Sequence, residues 1–301
     1  MGFLRAAKYY AKTTLAITVL SGCAIYGVLC SVVLALVGKR HLAQWSTARV
    51  FYWSFSTILG IRIKLINGEN LDKLPAIIVG NHQSALDILI LGRIFPKGCT
   101  VTSKKSLKWV PILGWFMALS GTFFLDRSNR ERSVRTLNKA LQELKDKKRG
   151  LYIFPEGTRS YAQTPMLLPF KKGAFHLAQQ GGIPVIPIIV SNTSSLINHK
   201  TKTFETGEII IKVLDPMPTE DMKPEEVSAF SEKVREAMLA EVETLGFSIP
   251  DTPQVPASSD SNETDDYETA PNDTDATDAT DVTPKVSEER TSLLSKPSDS
   301  L

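Results

Sequence analysis

Ala76-Ile77-Ile78-Val79-Gly80-Asn81-His82-Gln83-Ser84-Ala85-Leu86-Asp87 is the stretch on which the reading of this chain turns. An apolar run ends in a polar turn, and a second apolar run over 85–94 follows with helical character. A short strand that feeds a turn and then a helix is the repeating half of an α/β unit. The succession returns at Leu151-Tyr152-Ile153-Phe154, which runs into Pro155-Glu156-Gly157-Thr158-Arg159-Ser160. Working outward, apolar runs predict strands over 62–66, 76–79, 122–125, 151–154, 185–190 and 208–214. Helical spacing predicts helices over 85–94, 129–147, 175–180 and 224–245. This alternation predicts an α/β domain on a largely parallel central sheet. Both polar turns follow strands, where sheets of this kind place their ligands.

Two apolar segments precede the domain. Residues 13–38 form a 26-residue stretch without a charge, long enough for a helix to cross a bilayer and too long for a cleaved signal. Three basic residues precede it (Arg5, Lys8, Lys12) and three follow (Lys39, Arg40, Arg49), so charge sets no orientation. The 12-residue run 50–61 is too short to span and predicts an interfacial or re-entrant helix. Residues 109–125 are also uncharged, but a crossing there would put His82 and Arg159 on opposite sides of the bilayer. A buried or membrane-apposed helix feeding a strand is expected instead. These signals divide the chain into an N-terminal anchor (1–45), a domain (46–250) and an acidic tail (251–301).

The net charge of +3 conceals an asymmetry. The tail carries thirteen acidic and three basic residues, leaving 32 Lys and Arg against 19 Asp and Glu before it. A basic body attracts anionic partners. No nucleic-acid module is recognisable, and the anchor favours a membrane surface with phosphorylated ligands. The tail is Asp-, Thr- and Ser-rich, a composition that buries too little apolar surface to fold, and its Glu289 to Leu294 stretch resembles an acidic dileucine signal. Cys23, Cys30 and Cys99 form no disulfide or metal pattern, and the four histidines form no zinc motif, so neither metal nor cofactor is expected.

His82 and Asp87 pair a base with a carboxylate, an arrangement that deprotonates an alcohol at neutral pH. Five residues turn a straight helix through roughly 500°, so the two meet only if His82 lies in the turn before the helix. Ser84 to Asp87 also reads as a variant capping box, with Asp87 at the N3 position merely capping the start of the helix. Spacing alone favours the cap. In the second turn, Arg159 offers a planar fork of donors and Gly157 lets backbone N–H groups approach, both suited to phosphate. Glu156 cannot grip phosphate as an anion, and is expected to accept from a substrate hydroxyl or to orient Arg159.

His82 and Asp87 in NHQSALD, Arg127 in GTFFLDR, Glu156 and Arg159 in FPEGTRS, and Pro187 in IPVIPIIV resemble the four blocks of glycerolipid acyltransferases. The stretches SKKSLKWVPILGWFMALSGTFFLDR and LPFKKGAFHLAQQGGIPVIPIIVSNTSSL are similar to the fungal branch that acylates 1-acyl-sn-glycerol 3-phosphate. The resemblance covers residues 1 to about 247 and favours the His82–Asp87 pair over the cap. It implies acyl transfer from acyl-CoA, as substrate, to the sn-2 hydroxyl of lysophosphatidic acid, without an acyl-enzyme. It adds Lys104, Arg127 and Thr158 to Glu156, Gly157 and Arg159 as substrate-binding candidates, with Lys105 as readily part of a solvated basic rim. It implies the endoplasmic reticulum membrane, with lipid droplets as the alternative. Other acceptors, CoA-independent transacylation and a noncatalytic lipid-binding scaffold stay open as rivals; the absence of GxSxG disfavours an esterase.

Overall fold

The computed structural model describes residues 2–126 and 130–251. Arg127 and the chain from residue 252 onward, with its dileucine-like pattern, lie outside the described residues. The order of elements is α1 (Gly2–Leu36), α2 (Ala43–Leu59), β1 (Ile61–Ile66), β2 (Ala76–Gly80), α3 (Asp87–Ile94), β3 (Thr100–Lys104), α4 (Leu113–Ser120), β4 (Phe123–Leu125), α5 (Arg130–Asp146), β5 (Gly150–Ile153), α6 (Gly173–Gly181), β6 (Val185–Val190), β7 (Ile197–Asn198), β8 (Thr203–Phe204), β9 (Gly207–Val213), α7 (Val227–Leu245) and β10 (Ile249–Pro250).

The main sheet has the order β1-β9-β6-β2-β5-β3-β4, with β10 beside β9. From β6 to β4 every neighbouring pair is parallel; β9 runs antiparallel to β6 and carries β1 parallel to itself. The expected largely parallel sheet is therefore present. Strand β3 has no counterpart among the predicted strands, because Thr100 to Lys104 is half-buried and carries no apolar run.

Strand β2 shows why the sheet has two covered faces. All its residues are buried. Ile77 and Val79 join the layer of α6 and α7, with Phe175, Val234, Met238 and Val242. Ile78 joins the layer of α2 and α3, with Phe51, Phe55, Leu89 and Ile90. Each such side chain contributes about 1.5–3 kcal/mol on burial. A strand covered on both faces reads as a continuous apolar run, the pattern expected of parallel sheets.

Helix α2 starts well before the 12-residue apolar run, so the boundary expected at residue 45 falls inside it. Its first turns are polar because they bond to distant backbone and side chains. Gln44 donates to Ser120 Oγ (3.2 Å) and Thr122 Oγ1 (2.9 Å). The Arg49 guanidinium donates to the carbonyls of Gly92, Arg93 and Phe95, capping the end of α3. Helix α1 is long and apolar enough to cross a membrane, yet it is tied to the body near both ends. Lys8 Nζ meets Glu205 Oε2 at 2.6 Å, and Lys12 lies 5.4 Å from the Phe204 ring centre. Near its other end Gly27 allows close approach of Phe116 and Thr47. Within the uncharged stretch 109–125, α4 has eight residues, or about 12 Å of helix, far short of a bilayer. Trp109, just before α4, and Trp115 within it are exposed.

Candidate active site

The carboxyl ends of β2, β5 and β6 converge, and the polar turns leave the sheet there. Helix α3 begins at Asp87, which puts His82 in the preceding turn. His82 Nδ1 lies 2.5 Å from Asp87 Oδ2. That same oxygen accepts the backbone N–H groups of Gln83 (2.9 Å) and Ser84 (3.1 Å). The alternatives of cap and pair therefore coincide: Asp87 closes the turn before the helix and holds the imidazole with one atom. Asp87 is 3% exposed, while His82 keeps a partly open side chain. Phe154 stacks on the imidazole, with centroids 3.9 Å apart and planes 18° from parallel. With Nδ1 fixed on the carboxylate, Nε2 is the nitrogen left for a substrate proton.

The second turn is tied to the first through backbone and carboxylate. Ser160 N donates to His82 O (2.9 Å) and Tyr161 N to Gln83 O (3.1 Å). Glu156 is 3% exposed. Its Oε1 accepts the backbone N–H of His82 at 2.6 Å, and its Oε2 accepts that of Leu168 at 3.1 Å. The 167–168 segment is held from the other side by Arg235, which donates to both carbonyls. Burial pushes the Glu156 carboxyl up to about 7, against the downward pull of the His82 and Leu168 N–H groups.

Thr158 and Arg159 are exposed on the same turn, and Arg159 Nη1 lies 3.3 Å from Tyr161 Oη. Gly157 adopts φ 73°, and an added Cβ would press on the aliphatic stem of Lys171. Lys104 ends β3, which lies beside β5, so it reaches the same edge of the sheet. Lys105 is paired with Asp126 at 2.8 Å. Arg127, the remaining phosphate candidate, is outside the described residues.

Two residues unclaimed by sequence reasoning hold the first turn. Asn81 exchanges two hydrogen bonds with the backbone of Val190, both 3.0 Å. Gln83 donates to the carbonyls of Val190 and Ser191 and accepts from Thr193 N. Their signal was polarity directly after a strand buried on both faces, where every polar group needs a partner. Cys99 is buried and its thiol is pushed up by burial, consistent with packing rather than nucleophilic attack. Asn192, in a glycosylation sequon, is 2% exposed with its amide bonded to the carbonyls of Ala162 and Thr164.

The doubly covered, largely parallel sheet thus sets a carboxylate-held histidine beside an arginine-bearing turn. The chain belongs to the acyltransferase family, whose profile matches residues 62–191. It is 54% identical over 240 residues to the 1-acyl-sn-glycerol-3-phosphate acyltransferase of Saccharomyces cerevisiae, covering 80% of this chain and 79% of that protein. It is 30% identical to the human 1-acyl-sn-glycerol-3-phosphate acyltransferase alpha, covering 77% and 81% respectively. Its fold is similar to the crystal structure of the 1-acyl-sn-glycerophosphate (LPA) acyltransferase PlsC from Thermotoga maritima. That match has a TM-score of 0.62 and 26% identity, and covers 81% of this chain and 95% of that one.

Proposed function

We propose that the chain transfers a fatty acyl group from acyl-CoA to the sn-2 hydroxyl of 1-acyl-sn-glycerol 3-phosphate, giving phosphatidic acid. The observation that carries this reading is the 2.5 Å contact of His82 Nδ1 with Asp87 in a turn open to substrate. The sn-2 oxygen attacks the thioester carbonyl as its proton passes to His82 Nε2. The tetrahedral centre collapses, the C–S bond breaks, and the proton returns from His82 to the leaving thiolate. Asp87 fixes the tautomer and stabilises the imidazolium, the part a third residue plays in serine hydrolases. The substrate hydroxyl stands where the serine would be, so no acyl-enzyme forms.

Arg159, with Lys104, Arg127 and Thr158, is the set assigned to the acceptor phosphate, and Gly157 admits the backbone to it. Glu156 is assigned to holding the two turns in register. Substrates that partition into a bilayer suit a protein whose α1 and α4 expose apolar side chains, including Leu29, Val33 and Trp115. The compartment this reading carries is the endoplasmic reticulum membrane, with the catalytic face toward cytosolic acyl-CoA.

The test is acyl transfer from oleoyl-CoA by the purified full chain, with lysophosphatidic acid, glycerol 3-phosphate and lysophosphatidylcholine as parallel acceptors. Phosphatidic acid from the wild type and none from His82→Ala is the expected result. Preference for another acceptor moves the substrate assignment, and no product from folded protein in lipid rejects the reaction.

A further inference from the structure

Behind the His82–Asp87 pair lies a buried phenol to which the mechanism gives no part. Tyr152 stands on β5 opposite Ile78 of β2, is 2% exposed, and belongs to the layer of α2 and α3. Its hydroxyl occupies the space beside Gly80, where an added Cβ would overlap Tyr152 Oη. Gly80 is not among the glycines with positive φ, so the position needs a glycine for room rather than for backbone conformation. The ring of Tyr152 meets Phe154 edge-on at 5.0 Å, and Phe154 in turn stacks on His82.

Two buried polar atoms at this place lack partners among the described residues: Tyr152 Oη and Asp87 Oδ1. One can donate and the other only accepts. Burial keeps the phenol protonated, and the Asp87 charge is the next cause, ahead of Cys99 and Glu156. A donor without an acceptor therefore sits in the field of an acceptor oxygen without a donor. Leaving both unpaired costs the full desolvation of each, and a hydrogen bond between them would remove both costs.

Resting on the reading of His82 as the base, we propose that Tyr152 is a positioning residue for the pair. Its phenolic O–H donates to Asp87 Oδ1, and its ring, through Phe154, sets the plane of the His82 imidazole. The hydroxyl spreads the Asp87 charge over one more donor. Without it the carboxylate holds the imidazolium more strongly, and proton return to the leaving group is hindered.

The experiment compares wild type, Tyr152→Phe and Gly80→Ala as full chains in detergent micelles. The His82 imidazole is titrated by NMR, with its signal assigned by loss in His82→Ala. Both variants are expected to move the His82 midpoint upward by about 0.5 pH unit or more. Turnover is expected to fall about tenfold at unchanged acceptor KM, with the acid limb of the rate profile shifted to higher pH. In an Asp87→Asn background, Tyr152→Phe should move the His82 midpoint no further. An unmoved midpoint in Tyr152→Phe with equal or greater thermal stability, as removal of an unpaired hydroxyl would give, overturns the proposal. A shifted midpoint in a protein that transfers no acyl group supports the contact and rejects only the reaction.

Discussion

Glu156 Oε1 accepts the backbone N–H of His82 at 2.6 Å, so the carboxylate of the second turn grips the main chain of the residue placed as base in the first. Its other oxygen takes Leu168 N, whose carbonyl neighbours are held by Arg235 of α7. One side chain thus joins its own turn to a residue 74 positions before it and another 12 after it.

Replacing Glu156 by Gln turns an amide N–H₂ against one of these two N–H donors, because an amide offers only one acceptor atom. Losing a hydrogen bond to a charged group costs about 1.5–3 kcal/mol, so Glu156→Gln should lower unfolding stability by that order. Turnover should fall about tenfold or more as His82 loses its backbone anchor, with acceptor KM little changed. Denaturant unfolding and steady-state kinetics check both; wild-type turnover in Glu156→Gln would remove the clamp from catalysis.

The same carboxyl makes stability depend on pH. It is pushed from 4.5 up to about 7 by burial. Between those values the folded chain binds more protons at Glu156 than the unfolded chain does. Stability therefore falls as pH rises from about 4.5 to about 7 and is flat in this contribution above that. Thermal unfolding across this range should show the decline in wild type and a smaller one in Glu156→Gln. Equal slopes would mean that the carboxyl titrates normally.

His82→Ala should abolish acyl transfer while leaving the fold intact, since among the described residues the imidazole meets Asp87 and Phe154 and carries no other side-chain hydrogen bond. Asp87→Asn is expected to reduce turnover by a factor on the order of 10³–10⁴, as loss of a tautomer-fixing carboxylate does elsewhere. It should also lower the melting temperature, because Asp87 Oδ2 accepts from Gln83 N and Ser84 N as well. Residual turnover near wild type in either variant would sink the general-base mechanism.

The sheet was legible because β2, β5 and β6 are apolar runs buried on both faces, where burial and pattern carry the same information. Strand β3 was not, since Thr100 to Lys104 is only half-buried and its residues form no apolar run. The start of α2 was hidden by Gln44 and Arg49, whose partners lie more than forty residues away. In the site, five-residue spacing raised the His82–Asp87 pair but could not decide it, because the answer depended on where α3 begins. For Glu156 the sequence offered a substrate hydroxyl or Arg159 as partner and did not reveal its bonds to the backbone of His82 and Leu168. Its inward turn is set by Leu168 and His82, neither adjacent to it in sequence.

Arg159 separates binding from chemistry. It is exposed on the turn whose backbone bonds to that of His82 and Gln83, so it can meet an anion without disturbing the base. A guanidinium engages two phosphate oxygens in one plane, and an ammonium on a flexible four-carbon stem engages them as a point charge. Arg159→Lys should therefore raise acceptor KM about tenfold, roughly the value of one lost charge-assisted bond, while kcat with saturating acceptor stays within about twofold. The KM for acyl-CoA should not change. Its exposure means the substitution costs little stability, so unfolding should match wild type. An unchanged acceptor KM with reduced kcat would transfer Arg159 from phosphate binding to the transition state, where negative charge develops on the thioester oxygen.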